Sequence, residues 1–172
     1  MSTANATITF YRADPEQAPT ILAALRVHGF RFEYVDTVTA PLRLSRPYGT
    51  RDADTMICEK LSTLMRRLDH TAVFTICQDP NHEFVGQTLT SDPDLGDYCC
   101  AADEEATPLL PATEVRRATE TARLAVTAGV ETAAAFRELE RLAGTPWQHR
   151  ITAAQAATPR HDSHRPTPAA RW

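Results

Sequence analysis

The sequence predicts an α+β fold: a ferredoxin-like split βαβ core, extended by an antiparallel meander and followed by C-terminal helices. Within residues 7–77, alternating apolar segments and helical stripes follow the order strand, helix, strand, strand, helix, strand. Residues 71–102 contain three alternating segments separated by turn residues, which predicts the meander. Residues 115–157 show helical spacing, with Gly129 and Gly144 at the expected helix ends.

The first helix is predicted from its two ends and from its apolar stripe. Asp14 is an N-cap residue type, and Gln17 follows three positions later. Pro19 would allow the first full turn to begin there instead. Gly29 stands where a left-handed residue commonly ends a helix. The apolar stripe consists of Ala18, Ile21, Leu22 and Leu25.

The other elements of the core are predicted from short apolar patterns. Residues 7–11, 30–35 and 42–44 are expected to be strands, and residues 46–49 a turn after the third strand. Residues 52–69 carry an apolar stripe at helical spacing and predict a second helix that covers the sheet.

The register of the meander is predicted from two pairings across its turns. Gln78 is placed opposite Glu83, and Thr90 opposite Asp97. Because side chains alternate along a strand, these pairings assign one set of residues to the core. That set is Ala72, Phe74, Ile76, Val85, Leu89, Tyr98, Cys100 and Ala102.

Composition divides the chain into three parts. Residues 1–106 are the predicted sheet domain, and residues 107–157 are the predicted helical region. Residues 158–172 are polar and contain prolines, which predicts a disordered tail. Within the helical region, Thr145 and Gln148 have the spacing of a capping box.

Cysteine usage and hydropathy indicate a cytoplasmic location. The four cysteines show no paired spacing, and the N-terminus has no charged-then-apolar leader, so we expect a reducing compartment. No apolar run is long enough to cross a bilayer. The six glycines are isolated and form no phosphate-binding loop, and no cofactor is predicted.

Charge is strongly segregated along the chain, although the net charge is only -4. No lysine or arginine occurs between Arg67 and Arg116. Such a gap is typical of a solvated face, and it also suits the binding of a basic partner protein. The candidate acidic partner-binding residues are Asp92, Asp94, Asp97, Asp103, Glu104 and Glu105. The candidate basic partner-binding residues, in the C-terminal helices, are Arg116, Arg117 and Arg123.

Residues of metal-ligand type also gather in the meander. Cys77, His82 and Cys99 form the runner-up metal site, but they lack a Cys-x-x-Cys pair. In the predicted register, Cys77 and Cys99 lie about 13 Å apart, which is too far for one zinc ion. We therefore predict no metal and no catalytic residue. A small metal- or thiol-dependent enzyme built on these residues is the alternative hypothesis.

The arginine-rich C-terminal helices suggest a further alternative, a DNA-binding regulator that neutralises phosphates. The negative net charge argues against general nucleic-acid binding, so we expect a protein partner first. The sequence does not determine the oligomeric state or the identity of that partner.

The segment TITFYRADPEQAPTILAALRVHGF contains a strand, an Asp-Pro pair, a helix and a glycine turn. It resembles the opening of small uncharacterised proteins carried by plasmids and phages of GC-rich bacteria. The resemblance carries no site residue. It implies an accessory role in plasmid transfer, plasmid maintenance or phage–host control, and we expect a non-enzymatic protein that binds another protein.

Overall fold

The computed structural model describes residues 4–32, 41–54, 56–103, 105, 107–129 and 132–158. The strands are β1 (Ala4–Arg12), β2 (Arg31–Phe32), β3 (Pro47–Ala53), β4 (Val73–Gln78), β5 (Gly86–Asp92), β6 (Gly96–Ala102) and β7 (Pro108–Leu109). The helices are α1 (Ala18–Val27), α2 (Ile57–Leu68), α3 (Ala112–Thr127), α4 (Thr132–Leu142) and α5 (Thr145–Ala157).

The strands form one antiparallel sheet in the order β2-β3-β1-β4-β5-β6-β7. Helices α1 and α2 pack on one face of this sheet, which we call the α2 face. Helix α5 packs on the other face, which we call the α5 face. The predicted α+β class is therefore confirmed.

The main core lies between the sheet and the pair α1 and α2. Ile8 and Phe10 of β1 pair with Ile76 and Phe74 of β4, and all four side chains point to the α2 face. The two phenylalanine rings have centroids 5.7 Å apart. Burial of each of these side chains contributes about 1.5–3 kcal/mol to folding. The helices contribute Ile21, Leu25, Ile57, Cys58, Leu61 and Met65.

Helix α1 confirms the predicted stripe and glycine end, but it begins later than Asp14. Its N-cap is Gln17, and no side chain caps its first turn. Asp14 instead closes the preceding turn, because its carboxylate accepts a hydrogen bond from the N–H of Glu16 at 2.9 Å. Gly29 has φ 77°, and the N–H of Phe30 next to it donates to the carbonyl of Leu25 at 2.9 Å.

The prediction for residues 42–49 was wrong. Strand β3 includes Pro47 and extends to Ala53, and α2 starts only at Ile57. The turn lies earlier, at Ser45, which has φ 57°. Pro47 is the first residue of β3, a position where a strand tolerates its missing N–H. Of the predicted second strand, only Arg31–Phe32 is present as β2, and residues 33–35 lie outside the described residues.

The predicted meander is present as β4, β5 and β6, but its register is different. Gln78 pairs with Gln87, and Thr90 pairs with Tyr98 rather than Asp97. A shift of one residue moves every side chain of a strand to the opposite face. Tyr98 and Cys100 therefore lie on the α5 face, away from the main core.

The loop before β5 explains the first part of this error. The Asn81 side chain accepts hydrogen bonds from the N–H groups of Glu83 and Phe84 at 2.8 and 3.0 Å. This loop holds residues 79–85 outside the ladder, so β5 begins at Gly86. Val85 was predicted to lie in the core, but it is 59% exposed.

The helical region contains the predicted helices and glycine ends. Gly129 and Gly144 have φ values of 66° and 71°. The predicted capping box does not form, because Gly144 is the N-cap of α5 and no side chain caps that helix. Helix α3 packs chiefly on α4, and α5 packs on β1, β4 and β5. Apart from Thr158, the predicted tail lies outside the described residues.

Asp69 joins the end of α2 to the loop that leads into α1. Only 3% of its surface is exposed, and its carboxylate accepts hydrogen bonds from the backbone N–H of Asp14 at 2.6 Å and of Thr71 at 2.9 Å. The Thr71 hydroxyl donates to it at 2.7 Å. Burial raises the pKa of Asp69, but these hydrogen bonds outweigh burial, and the pKa lies below its usual value.

We expect Asp69→Asn to lower the free energy of unfolding at pH 7 by about 1–3 kcal/mol, because the amide loses charge-assisted hydrogen bonds. The pKa is lower in the folded protein, so the carboxylate's contribution is present above the unfolded pKa of about 3.9. That contribution disappears as the pH falls through the folded pKa. The difference between variant and wild type should therefore shrink below about pH 4 in urea denaturation.

Asp79→Asn is the control for this prediction, because Asp79 accepts a hydrogen bond from the exposed Asn5 amide. It should change the unfolding free energy by less than about 0.5 kcal/mol. Equal urea midpoints of unfolding for Asp69→Asn and the wild type at pH 7 would contradict a stabilising role of Asp69.

Candidate interaction surface

The acidic residues predicted to bind a partner are not all on the surface. Asp92 is only 2% exposed, and its carboxylate accepts hydrogen bonds from the N–H groups of Asp94 and Leu95 at 2.9 and 3.1 Å. It also faces Arg150 of α5 at 3.4 Å. The structure therefore places Asp92 inside the fold, where the turn and α5 satisfy its carboxylate.

The other acidic candidates have varied surroundings. Asp94 pairs with Arg150, and Asp97 pairs with Arg66 at 3.3 Å. Asp103 accepts hydrogen bonds from two backbone N–H groups of its own loop, and Glu105 in that loop is exposed. Glu104 lies outside the described residues. The acidic candidates that are not buried therefore lie on β6 and in the loops beside it.

Helix α5 packs on β6 through a contact that the sequence analysis missed. The Trp147 ring N–H donates to the carbonyl of Gly96 at 3.0 Å, and the Tyr98 hydroxyl donates to the carbonyl of Leu142 at 2.8 Å. The Tyr98 and Trp147 rings have centroids 5.2 Å apart. We call Tyr98, Trp147 and Gly144 the aromatic clamp. Its only sequence signal was the pair of large aromatic residues, which the wrong register of β6 concealed.

The outer edge of β6 is only partly paired. Strand β7 covers Ala101 and Ala102, which pair with Leu109 and Pro108. Beside the rest of this edge is a cavity of about 340 Å³. Its lining residues are Tyr98, Cys99, Cys100, Ala101, Leu109, Leu110, Pro111, Glu114, Val115, Arg141 and Leu142. The cavity thus lies between an open strand edge and the ends of α3 and α4.

Helices α3 and α4 form a helical arm. The candidate residues Arg116, Arg117 and Arg123 are all exposed on α3, and Arg123 pairs with Glu120 at 3.0 Å. On α4, Arg141 donates two hydrogen bonds to Glu138, each of 2.9 Å. The arm therefore presents mixed charges rather than a continuous basic surface. It also exposes three large apolar side chains, Leu124, Val126 and Phe136.

The runner-up metal residues are not brought together. Cys77 faces the α5 side of the sheet next to Thr88, whereas Cys99 pairs with Leu89 and faces the α2 side. His82 is exposed in the loop before β5. Among the residues that the structure describes, no group of three His, Cys, Asp or Glu side chains is arranged to hold a metal ion.

No family model, curated protein or solved structure matches this chain. Within the described ranges, no helix combines the length and apolar character needed to span a membrane.

The four thiols differ in exposure. Cys58 is buried in the core, and burial raises its pKa to about 12. Burial also raises the pKa values of Cys77, Cys99 and Cys100, and of these Cys99 is exposed. Because the thiolate is the reactive form, none of these surroundings activates a nucleophile.

We expect a disulfide-exchange reagent near neutral pH to modify Cys99 first and Cys58 only after unfolding. Every thiol should react more slowly than free cysteine. Peptide mass spectrometry after timed labelling would identify the order, with Cys99→Ser as the control that removes the first reaction. A thiol that reacts faster than free cysteine would instead support a thiol-dependent enzyme.

Gly144 and Gly129 allow the aromatic clamp to be tested with a matched pair of variants. Both have positive φ, so alanine is strained at either position, by about 1–2 kcal/mol. At Gly129 a new Cβ atom would meet nothing within 4 Å. At Gly144 it would lie 2.7 Å from the Tyr98 ring.

We expect Gly144→Ala to destabilise the protein by at least about 1 kcal/mol more than Gly129→Ala, because the Tyr98 ring must shift. Urea unfolding followed by tryptophan fluorescence would measure the difference. Equal losses of unfolding free energy for the two variants would show that the close contact between Gly144 and Tyr98 does not stabilise the packing of α5.

Proposed function

We propose that this protein is a non-enzymatic accessory protein of a mobile genetic element and acts in the cytoplasm by binding another protein. The mobile element is suggested by the resemblance of residues 7–30 to plasmid- and phage-borne proteins. The four free cysteines agree with a reducing compartment.

We also propose a ferredoxin-like split βαβ unit as the scaffold. The strand order β2-β3-β1-β4, antiparallel throughout, supports this assignment, as do the helices that follow β1 and β3. In this scheme β5, β6 and β7 extend the sheet beyond β4 and connect it to the helical arm.

The observation that carries the protein-binding proposal is the exposure of large apolar side chains on the helical arm. Leu124, Val126 and Phe136 are 58%, 55% and 50% exposed. Leu124 and Val126 lie two residues apart on α3 and so point in different directions, but all three side chains belong to a helix pair that packs chiefly on itself and can offer apolar contacts to a partner.

DNA binding receives less support from the same surface. A duplex-binding helix directs unpaired basic side chains to the phosphates, and the affinity depends steeply on salt. On the arm, Arg123 and Arg141 are each paired with a glutamate three residues away. These pairs reduce the positive potential that a phosphate backbone requires.

We expect the double variant Leu124→Ser and Phe136→Ser to lose the cellular partner while remaining folded, because both side chains are exposed. The matched control, Val27→Ser and Met56→Ser, removes apolar residues that are 84% and 54% exposed on α1 and at the N-cap of α2, away from the arm. Affinity capture of tagged protein from the native host, with quantitative mass spectrometry, would compare both variants with the wild type. Equal capture by all three proteins would refute the arm as the binding surface.

A further inference from the structure

The outer edge of β6 has backbone groups that point away from the sheet. The N–H of Asp103 donates to the carbonyl of Thr107 on the β7 side, at 3.1 Å. Backbone groups alternate in direction along a strand, so those of Cys99 and Asp97 point to the same side as those of Asp103. Strand β7 does not reach them, and no other described segment pairs with them.

This edge borders two chemically different surfaces. On the α5 face, the cavity of about 340 Å³ offers the apolar side chains of Leu110, Val115 and Leu142, with Glu114 and Arg141 also in its lining. This volume is near the lower limit for ligand pockets, so it suits a few side chains. On the α2 face, the side chains of Asp97 and Cys99 project from the strand itself.

Acidic groups surround the edge on the α2 face and at the end of β6. Glu59 of α2 is exposed and accepts a hydrogen bond from Gln87, which also donates to Cys99 at 2.9 Å. Asp103 and Glu105 continue this acidic surface along the loop after β6. Arg66 balances only part of this charge, through its pair with Asp97.

We infer that the β6 edge binds an extended segment of a partner protein as an added strand. The segment places apolar side chains in the cavity at every second position and Lys or Arg side chains beside the acidic groups between them. Such binding obtains affinity from main-chain hydrogen bonds and specificity from the pockets for alternate side chains. This inference rests on the proposed protein-binding function and names the chemistry of the partner segment.

Synthetic peptides test the alternation. We expect fluorescently labelled Lys-Val-Lys-Val-Lys-Val-Lys to bind at least about tenfold more tightly than Lys-Lys-Val-Val-Val-Lys-Lys, since only the first can place valines and lysines on opposite faces. Glu-Val-Glu-Val-Glu-Val-Glu should bind more weakly still, because its charge matches that of the edge. Equal binding of the two lysine peptides in fluorescence anisotropy would overturn the inference, since simple charge attraction would then suffice.

Backbone variants test the strand geometry. Cys99→Pro removes the outward N–H and should weaken binding by about tenfold, whereas Cys99→Ala keeps it and should bind like the wild type. If the proline variant does not fold, N-methylated peptides replace it. Methylation at the amides that face β6 should weaken binding, and methylation at the alternate amides should not. Equal effects of the two methylation patterns would overturn the inference.

Two outcomes separate this inference from its alternatives. Concentration-dependent dimerisation that Cys99→Pro abolishes would assign the edge to a second copy of the chain and overturn the partner segment. If the arm variant loses its cellular partner but no peptide binds, the edge inference fails and the proposed function stands. If the peptides bind as expected but the arm variant keeps its partner, the arm is not the binding surface, and the inference that the β6 edge binds the partner stands.

Discussion

Tyr98 pairs with Thr90 across β5 and β6, and this register determines which residues of β6 face each layer of helices. It places Tyr98 on the α5 face, where its hydroxyl reaches the end of α4 and its ring contacts Trp147. It places Asp97 and Cys99 on the α2 face, beside Ser62 and Gln87. The helical arm, the cavity and the open edge all depend on this one alignment of strands.

The sheet therefore has helices on both faces, and the two faces are stabilised differently. The α2 face is a continuous apolar core in which Phe10, Phe74 and their neighbours exclude water. The α5 face is more polar, with Thr75 and Thr90 joined by a hydrogen bond of 3.0 Å. Asp92 is buried there, and its hydrogen bonds and Arg150 offset the cost of removing a carboxylate from water. Helix α5 thus combines two buried apolar side chains, Trp147 and Ile151, with specific polar and aromatic contacts.

Charge segregation along the chain was visible in the sequence, but its meaning in space was not. Arg66 and Arg150 lie outside the gap in basic residues, yet the fold brings both of them to acidic residues of β5, β6 and their turn. A count of charges along the chain cannot detect this neutralisation, because the partners are separated by many residues. The same limit applies to the thiols, since only the register shows that Cys77 and Cys99 lie on opposite faces of the sheet.

The sequence by itself determined the elements whose signals are local. Each of these signals involves residues that are close in sequence. They are the stripe of Ile21 and Leu25, the left-handed glycines at 29, 129 and 144, and the alternation in β4. Tertiary structure alone decided the start of β3, the register of β5 and β6 and the packing of α5 on the sheet. Strand pairing joins residues that are distant in sequence, and a shift of one residue changes the face of every side chain without changing the local pattern. That is why the fold class followed from the sequence, whereas the open edge of β6 and the cavity beside it did not.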